Sequence, residues 1–135
     1  MRFRSAYRAH FSVTPSVFGG FVIVTLRGIF GPQEAGRVVR VAHRLGRRYG
    51  VRSYLVDARE ARNTDAHRDN VHFMVHDIKQ HPDIDLGARV AILVAEEDHS
   101  HDVIESISHL VGYDLRLFRD LDACLAWMTP EFAQG

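Results

Sequence analysis

Cysteine is nearly missing: Cys124 stands alone in 135 residues, so no intramolecular disulfide forms and a reducing compartment is expected. Long apolar runs are missing too. The longest, residues 21–24 and 90–95, fall far short of the ~20 residues a membrane-spanning helix needs. Residues 1–10 alternate charged and apolar side chains instead of placing a basic segment before an apolar one, so no secretory leader is expected. Neither sign of charge is in excess: 17 Lys+Arg stand against 17 Asp+Glu, which disfavours a generic binder of nucleic acid or of an anionic membrane. The short motifs of common chemistry are absent as well. There is no nucleophile elbow, no phosphate-binding glycine loop and no CxxC pair, and Gly28-Ile29-Phe30-Gly31 is too short for a dinucleotide fingerprint. These absences predict a cytoplasmic protein that uses no cofactor.

What is present is ordinary in bulk. A hydrophobic fraction of 46% and a charged fraction of 25% suit one globular domain with its own core. The domain is expected over residues 1–128, with a tail over 129–135. The nine histidines are unusual and make the chain more cationic below about pH 6.5.

Along the chain, Phe3, Tyr7, Phe11 and Val13 alternate with polar residues, which predicts a half-buried edge strand. Residues 21–26 are apolar on both faces and predict a central strand paired antiparallel with the first. The pattern breaks at Gly28, and Pro32 suits the first position of a helix. Its inner stripe is Ala35, Val38, Val39, Ala42, Leu45 and Tyr49, and Gly50 is its stop. Its outer face carries Arg37, Arg40, Arg44, Arg47 and Arg48, a basic ridge that is either a solvated helix face or a docking surface for an acidic partner.

A strand over residues 53–57 ends in Asp57, and a polar loop is expected over residues 58–65. A second helix follows, with Asn63, Thr64 and Asp65 as competing caps, Val71, Met74, Val75 and Ile78 inward and Phe73 outward. Residues 89–94 predict another buried strand. Asp98 or Ser100 is expected to cap a third helix with the stripe Val103, Ile104, Ile107, Leu110 and Val111. Residues 115–118 form a last strand, and Asp120 caps a last helix with Leu121, Cys124, Leu125 and Met128 inward. The order β-β-α-β-α-β-α-β-α predicts an α/β fold with a mostly parallel five-stranded sheet and an antiparallel edge strand.

Three stretches carry a resemblance: Tyr54-Leu55-Val56-Asp57-Ala58-Arg59 after a helix, Arg89-Val90-Ala91-Ile92-Leu93-Val94, and Gly112-Tyr113-x-Leu115-Arg116-Leu117-Phe118-x-Asp120-Leu121-Asp122-x-x-Leu125-Ala126-Trp127. With the order of elements, they make the chain resemble STAS-like domains, the sulfate-transporter and anti-sigma-factor-antagonist fold that is grouped with CRAL-TRIO lipid-transfer domains. The resemblance implies a regulatory domain that binds rather than catalyses. In anti-sigma antagonists a Ser at the start of the helix after the central strand is phosphorylated. The matching stretch here, Asn63-Thr64-Asp65-Ala66-His67, offers only Thr64.

Several constellations remain for chemistry. Asp69, His72 and His76 lie within roughly 60° on one flank of the second helix, a possible transition-metal set. Phe73 stands where a metalloprotease would need its glutamate. A second possible metal cluster is His99 and His101 with Glu96, Glu97 and Asp98, against which stands an acidic loop opposing a helix dipole. Asp57 sits at a carboxyl strand end, where α/β folds place sites, or is a turn carboxylate holding backbone N–H groups. Cys124 is expected to be a buried small hydrophobe.

The resulting expectation is a non-enzymatic domain that binds a protein partner or a second copy of itself, with neither nucleic acid nor membrane as partner. Its candidate surface comprises Asp57, Arg59, Thr64, Asp65, Phe73, Arg37, Arg40 and Arg44. The alternatives are a metal protein using Asp69, His72 and His76, and a carrier of a small apolar ligand.

Overall fold

The computed structural model describes residues 8–16, 20–63 and 84–129. Its elements are β1 (His10–Pro15), β2 (Val22–Phe30), α1 (Pro32–Tyr49), β3 (Ser53–Asn63), β4 (Arg89–Val94), α2 (Asp102–Val111), β5 (Asp114–Phe118) and α3 (Leu121–Met128). The five strands form one sheet in the order β1-β2-β3-β4-β5. β1 pairs antiparallel with β2, and the other neighbours are parallel. The expected α/β class and antiparallel edge are therefore found. The expected second helix and the tail beyond Thr129 lie outside the described residues.

Alternation divides the sheet into two buried faces. Val22, Val24, Tyr54, Ala58, Val90, Ile92 and Leu115 point to the side covered by α1 and α2. Leu55, Ala91 and Leu93 point to the other side, where Cys124 and Met128 of α3 meet them. β4 reads Arg-Val-Ala-Ile-Leu-Val because it is central and covered on both faces.

The helices begin and end for legible reasons. Pro32 opens α1, the Gly31 N–H donates to Glu34 at 2.8 Å, and Gly50 closes the helix at φ 67. Asp120 caps α3 by accepting the Ala123 N–H at 3.1 Å.

Several expectations need correction. β3 does not end at Asp57, and residues 58–63 are strand, not loop. Thr25 pairs with Asp57 but Arg27 pairs with Glu60, so β3 carries one extra residue and the pairing then runs on to Phe30 with Asn63. This bulge sets Ala58 and Ala61 on the helix-covered side and turns Arg59, Glu60 and Arg62 outward. β2 likewise continues past Gly28, whose φ of 98 suits glycine alone.

On α1, Tyr49 is 54% exposed, whereas Gly36, His43 and Gly46 are buried. The inner arc is rotated toward the glycines because the Tyr54 side chain of β3 rises against α1 there. A methyl group on Gly46 would collide with the Tyr54 hydroxyl. On α2, Leu110 is 85% exposed and Ser108 is fully buried, its hydroxyl donating to the Ile104 carbonyl at 2.6 Å. Neither Asp98 nor Ser100 caps α2; its first flanking residue is His101, which makes no side-chain cap. Leu121 of α3 is 41% exposed.

Candidate functional site

The bulge shapes the carboxyl end of the parallel strands. With an extra residue on β3, the Asp57 carboxylate accepts the Arg59 backbone N–H at 3.2 Å. It also takes a two-pronged bond from the Arg59 guanidinium, at 2.9 and 2.8 Å. That guanidinium, the largest cause, holds the Asp57 carboxyl below the usual carboxylate range despite partial burial. Asp57 therefore fastens the bulge that carries it.

Beyond it lies a groove of ≈ 430 Å³ lined by Arg27, Gly28, Arg59, Glu60, Arg62 and Asp98 among others. Its guanidinium groups are paired: Arg27 with Glu60 at 3.1 Å, Arg59 with Asp57 and Arg62 with Asp98 at 3.3 Å. The strand order rises without reversal, so the described sheet has no topological switch point to open a crevice at these strand ends.

The loop after β4 is tied to this edge. Ser100 accepts the Asn63 N–H at 3.0 Å and its carbonyl accepts the Asn63 side-chain amide at 3.1 Å. Arg119 donates to the carbonyls of Glu96 and Asp98 at 3.0 and 2.7 Å. Asp98 is 1% exposed and His101 7%. His101 Nε2 and Asp98 Oδ2 face each other at 3.5 Å, and neither has a hydrogen-bond partner.

Burial raises the Asp98 carboxyl, but hydrogen bonds from Ser100 and the charges of His101 and Arg62 outweigh it and keep the group ionised. Burial dominates at His101 and lowers its pKa, against the pull of Asp98 and a hydrogen bond to the Ala61 carbonyl. This pair joins the groove, which Asp98 lines, to an apolar cavity that His101 lines.

That cavity, ≈ 120 Å³, lies under α1 and α2 against Leu26, Phe30, Val38, Ile92 and Leu115. It is smaller than the roughly 300–1,000 Å³ of ordinary ligand pockets.

A second polar cluster sits at the opposite end of the sheet. His43 Nδ1 accepts the Asp85 N–H at 2.9 Å, so the other nitrogen, 3.3 Å from the Tyr113 hydroxyl, bears the proton and donates it. The ring stacks on Tyr54 at 4.7 Å. Burial lowers the His43 pKa to about 4 and pushes the Tyr113 hydroxyl above the ordinary tyrosine value. This cluster ties α1 to the turn before β4.

The outer face of α1 is basic and open. Arg37, Arg44, Arg47 and Arg48 are exposed and Arg40 is half-buried. Among the described residues, Arg37, Arg40, Arg44 and Arg48 have no acidic partner. Val41, 36% exposed, lies at one edge of this arc, a turn away from Arg37 and Arg44.

The structure thus brings Asp57 and Arg59 together and places Arg37, Arg40 and Arg44 on another face. Thr64, Asp65, Phe73, Asp69, His72 and His76 lie outside the described residues. The cluster of Glu96, Glu97, Asp98, His99 and His101 does not converge. His99 bonds Asp102 at 3.0 Å while His101 turns inward, and no group of three or more potential ligands forms among the described residues. Burial, with the Asp57 charge adding to it, raises the Cys124 thiol to about 11, so the sulfur is protonated and packed in the core. Sequence reading missed Arg27, Arg62, Arg119 and His43. For His43 a signal exists: it lies on the same arc as Val39 and Gly46.

The architecture is that of a small mixed-sheet α/β domain of the SpoIIAA-like, or STAS-like, kind. Among solved structures the chain is similar to an uncharacterized protein of the DUF3478 family with a SpoIIAA-like fold from Shewanella loihica PV-4. The TM-score is 0.52 at 14% identity, over 89% of this chain and 93% of that one. No protein-family model matches the sequence, and no curated protein matches it. No helix among the described residues is long and apolar enough to cross a membrane.

Proposed function

We propose that this is a non-enzymatic regulatory domain that acts by docking a protein, with the outer face of α1 as its contact surface. One observation carries the reading. Four guanidinium groups, Arg37, Arg40, Arg44 and Arg48, line one helix face without an acidic partner among the described residues, with the exposed aliphatic Val41 at its edge. Arginine, with its planar fork of donors and weak hydration, suits contact with carboxylates. Arginine is also enriched in protein contact surfaces, where an apolar side chain beside it adds buried area.

A photo-crosslinking residue in place of Val41 tests this in cells. Adducts to a protein are expected, joined through a peptide rich in Asp and Glu, and Arg37→Glu with Arg44→Glu should abolish them. Adducts confined to nucleic acid or lipid, or none, would overturn the reading.

A further inference from the structure

We infer that the partner of the α1 ridge is a second copy of this chain, docked head to tail through a compact acidic patch at the start of α3. The inference rests on the reading of α1 as a docking surface and adds the identity of what docks there.

The charge balance of the chain hides a division. Residues 1–62 carry 12 Arg against three acids, and residues 63–135 carry five basic residues against 14 acids. Because the strands follow one another across the sheet, this division becomes spatial. α1 packs on β1 and β2, whereas α2 packs on β5 and α3 on β4 and β5. With strands about 4.8 Å apart, β1 and β5 are roughly 19 Å from each other. That exceeds twice the screening length of about 8 Å at physiological salt, so the two charged regions attract each other little within one molecule. Between molecules in contact the separation falls to that of an ion pair.

The acidic patch is built from Glu96, Glu97, Asp120 and Asp122, all exposed and none with a basic partner among the described residues. Leu121, 41% exposed, stands between Asp120 and Asp122 in sequence, and Arg119, donating to the Glu96 and Asp98 carbonyls at 3.0 and 2.7 Å, ties the loop after β4 to the start of α3. Four exposed carboxylates thus answer four exposed or half-buried guanidinium groups in number and opposite charge. α1 covers one face of the sheet and α3 the opposite face, so a copy cannot close on itself. Two copies can stack face to face, and the pair leaves one ridge and one patch free, a heterologous contact that extends instead of closing. A contact carried by a few exposed charge pairs is weak and sensitive to salt, so association is expected only at high protein concentration.

Sedimentation velocity on the full chain tests this with two variants, one with the ridge reversed (Arg37→Glu, Arg44→Glu, Arg48→Glu) and one with the patch reversed (Glu96→Lys, Glu97→Lys, Asp122→Lys). At about 1 mM protein and 50 mM salt the wild type should form dimers and larger species, reverting to monomer near 0.5 M salt. Each variant alone should be monomeric, and an equimolar mixture should associate again, because the intact ridge of one meets the intact patch of the other and the reversed ridge and patch are themselves opposite in charge. The single changes Arg44→Glu and Asp122→Lys, each confirmed folded by circular dichroism, repeat the mixing test at lower cost to the fold. Their expected effect is at least a threefold loss of self-association alone, regained on mixing. A wild type that stays monomeric, or a mixture that does not pair, would overturn the inference. If copies fail to pair while the Val41 crosslinker still captures another acidic protein, the docking surface stands and only its self-pairing falls. If neither occurs, both fall.

Discussion

His43 shows how much of the fold's stability hangs on one protonation state. Its Nδ1 is occupied by the Asp85 N–H and its other nitrogen donates to Tyr113, so an added proton must displace a backbone hydrogen bond inside the core. Its folded pKa, about 4, lies below the unfolded value of about 6.5. The neutral ring's contribution is therefore complete above pH 6.5 and is lost as pH falls toward 4. His101, also lowered by burial, acts in the same direction. Asp57, Asp85 and Asp98, whose pKa values are depressed, contribute a separate loss that begins only below the ordinary carboxylate value. Urea unfolding at pH 5 should therefore give a stability lower than at pH 7.5 by roughly 1–2 kcal/mol. An NMR titration should find one ring with a midpoint well below 6. A flat profile between these pH values would mean that the His43 ring is solvated.

At the scale of elements, the Tyr54 side chain of β3 reaches α1 at Gly46. A methyl group there meets the hydroxyl and ring of Tyr54, and the ring is held by its stack on His43. Gly46→Ala gains up to about 1 kcal/mol of helix propensity but overpacks the core, and a net loss of roughly 1–3 kcal/mol is expected. Tyr54→Phe removes the nearest clashing atom, so in the Gly46→Ala background it should recover part of that loss in denaturant melts. If the double variant is no more stable than Gly46→Ala alone, the helix does not touch β3 at this point.

The same approach explains what the sequence made legible. Apolar periodicity located α1, the strands and the parallel order, because period and burial agree in those stretches. It misplaced Tyr49 because glycine adds nothing to a hydrophobic stripe, and the arc through Gly36 and Gly46 went unweighted. It cut β3 short at Asp57 because a bulge breaks the two-residue alternation, and because Ala, Arg and Glu are weak strand formers. The candidate site suffered most. Asp57 and the arginine ridge could be seen as residues, but the pairing of Asp57 with Arg59 depends on that bulge. The meeting of Arg62, Asp98 and His101 depends on strands far apart in sequence.

Over the whole molecule, the division of charge has an energetic consequence apart from any partner. Residues three and four apart on a helix are neighbours, and like charges there repel. Arg44 has Arg40 four positions before it and Arg47 and Arg48 three and four positions after it. No described carboxylate answers Arg40 or Arg48. A ridge whose only role was solvation would gain from mixed signs, and a surface kept for docking forgoes that gain. Arg44→Glu replaces two or three repulsive neighbours by attractive ones, each worth about 0.2–0.5 kcal/mol. The variant is therefore expected to be more stable than the wild type by roughly 0.5–1 kcal/mol at low salt, with the difference shrinking near 1 M salt as the charges are screened. Thermal or urea melts at the two salt concentrations measure this directly. A destabilised Arg44→Glu would show that the guanidinium has an acidic partner inside the chain, and the ridge would then be part of the fold and not a free surface.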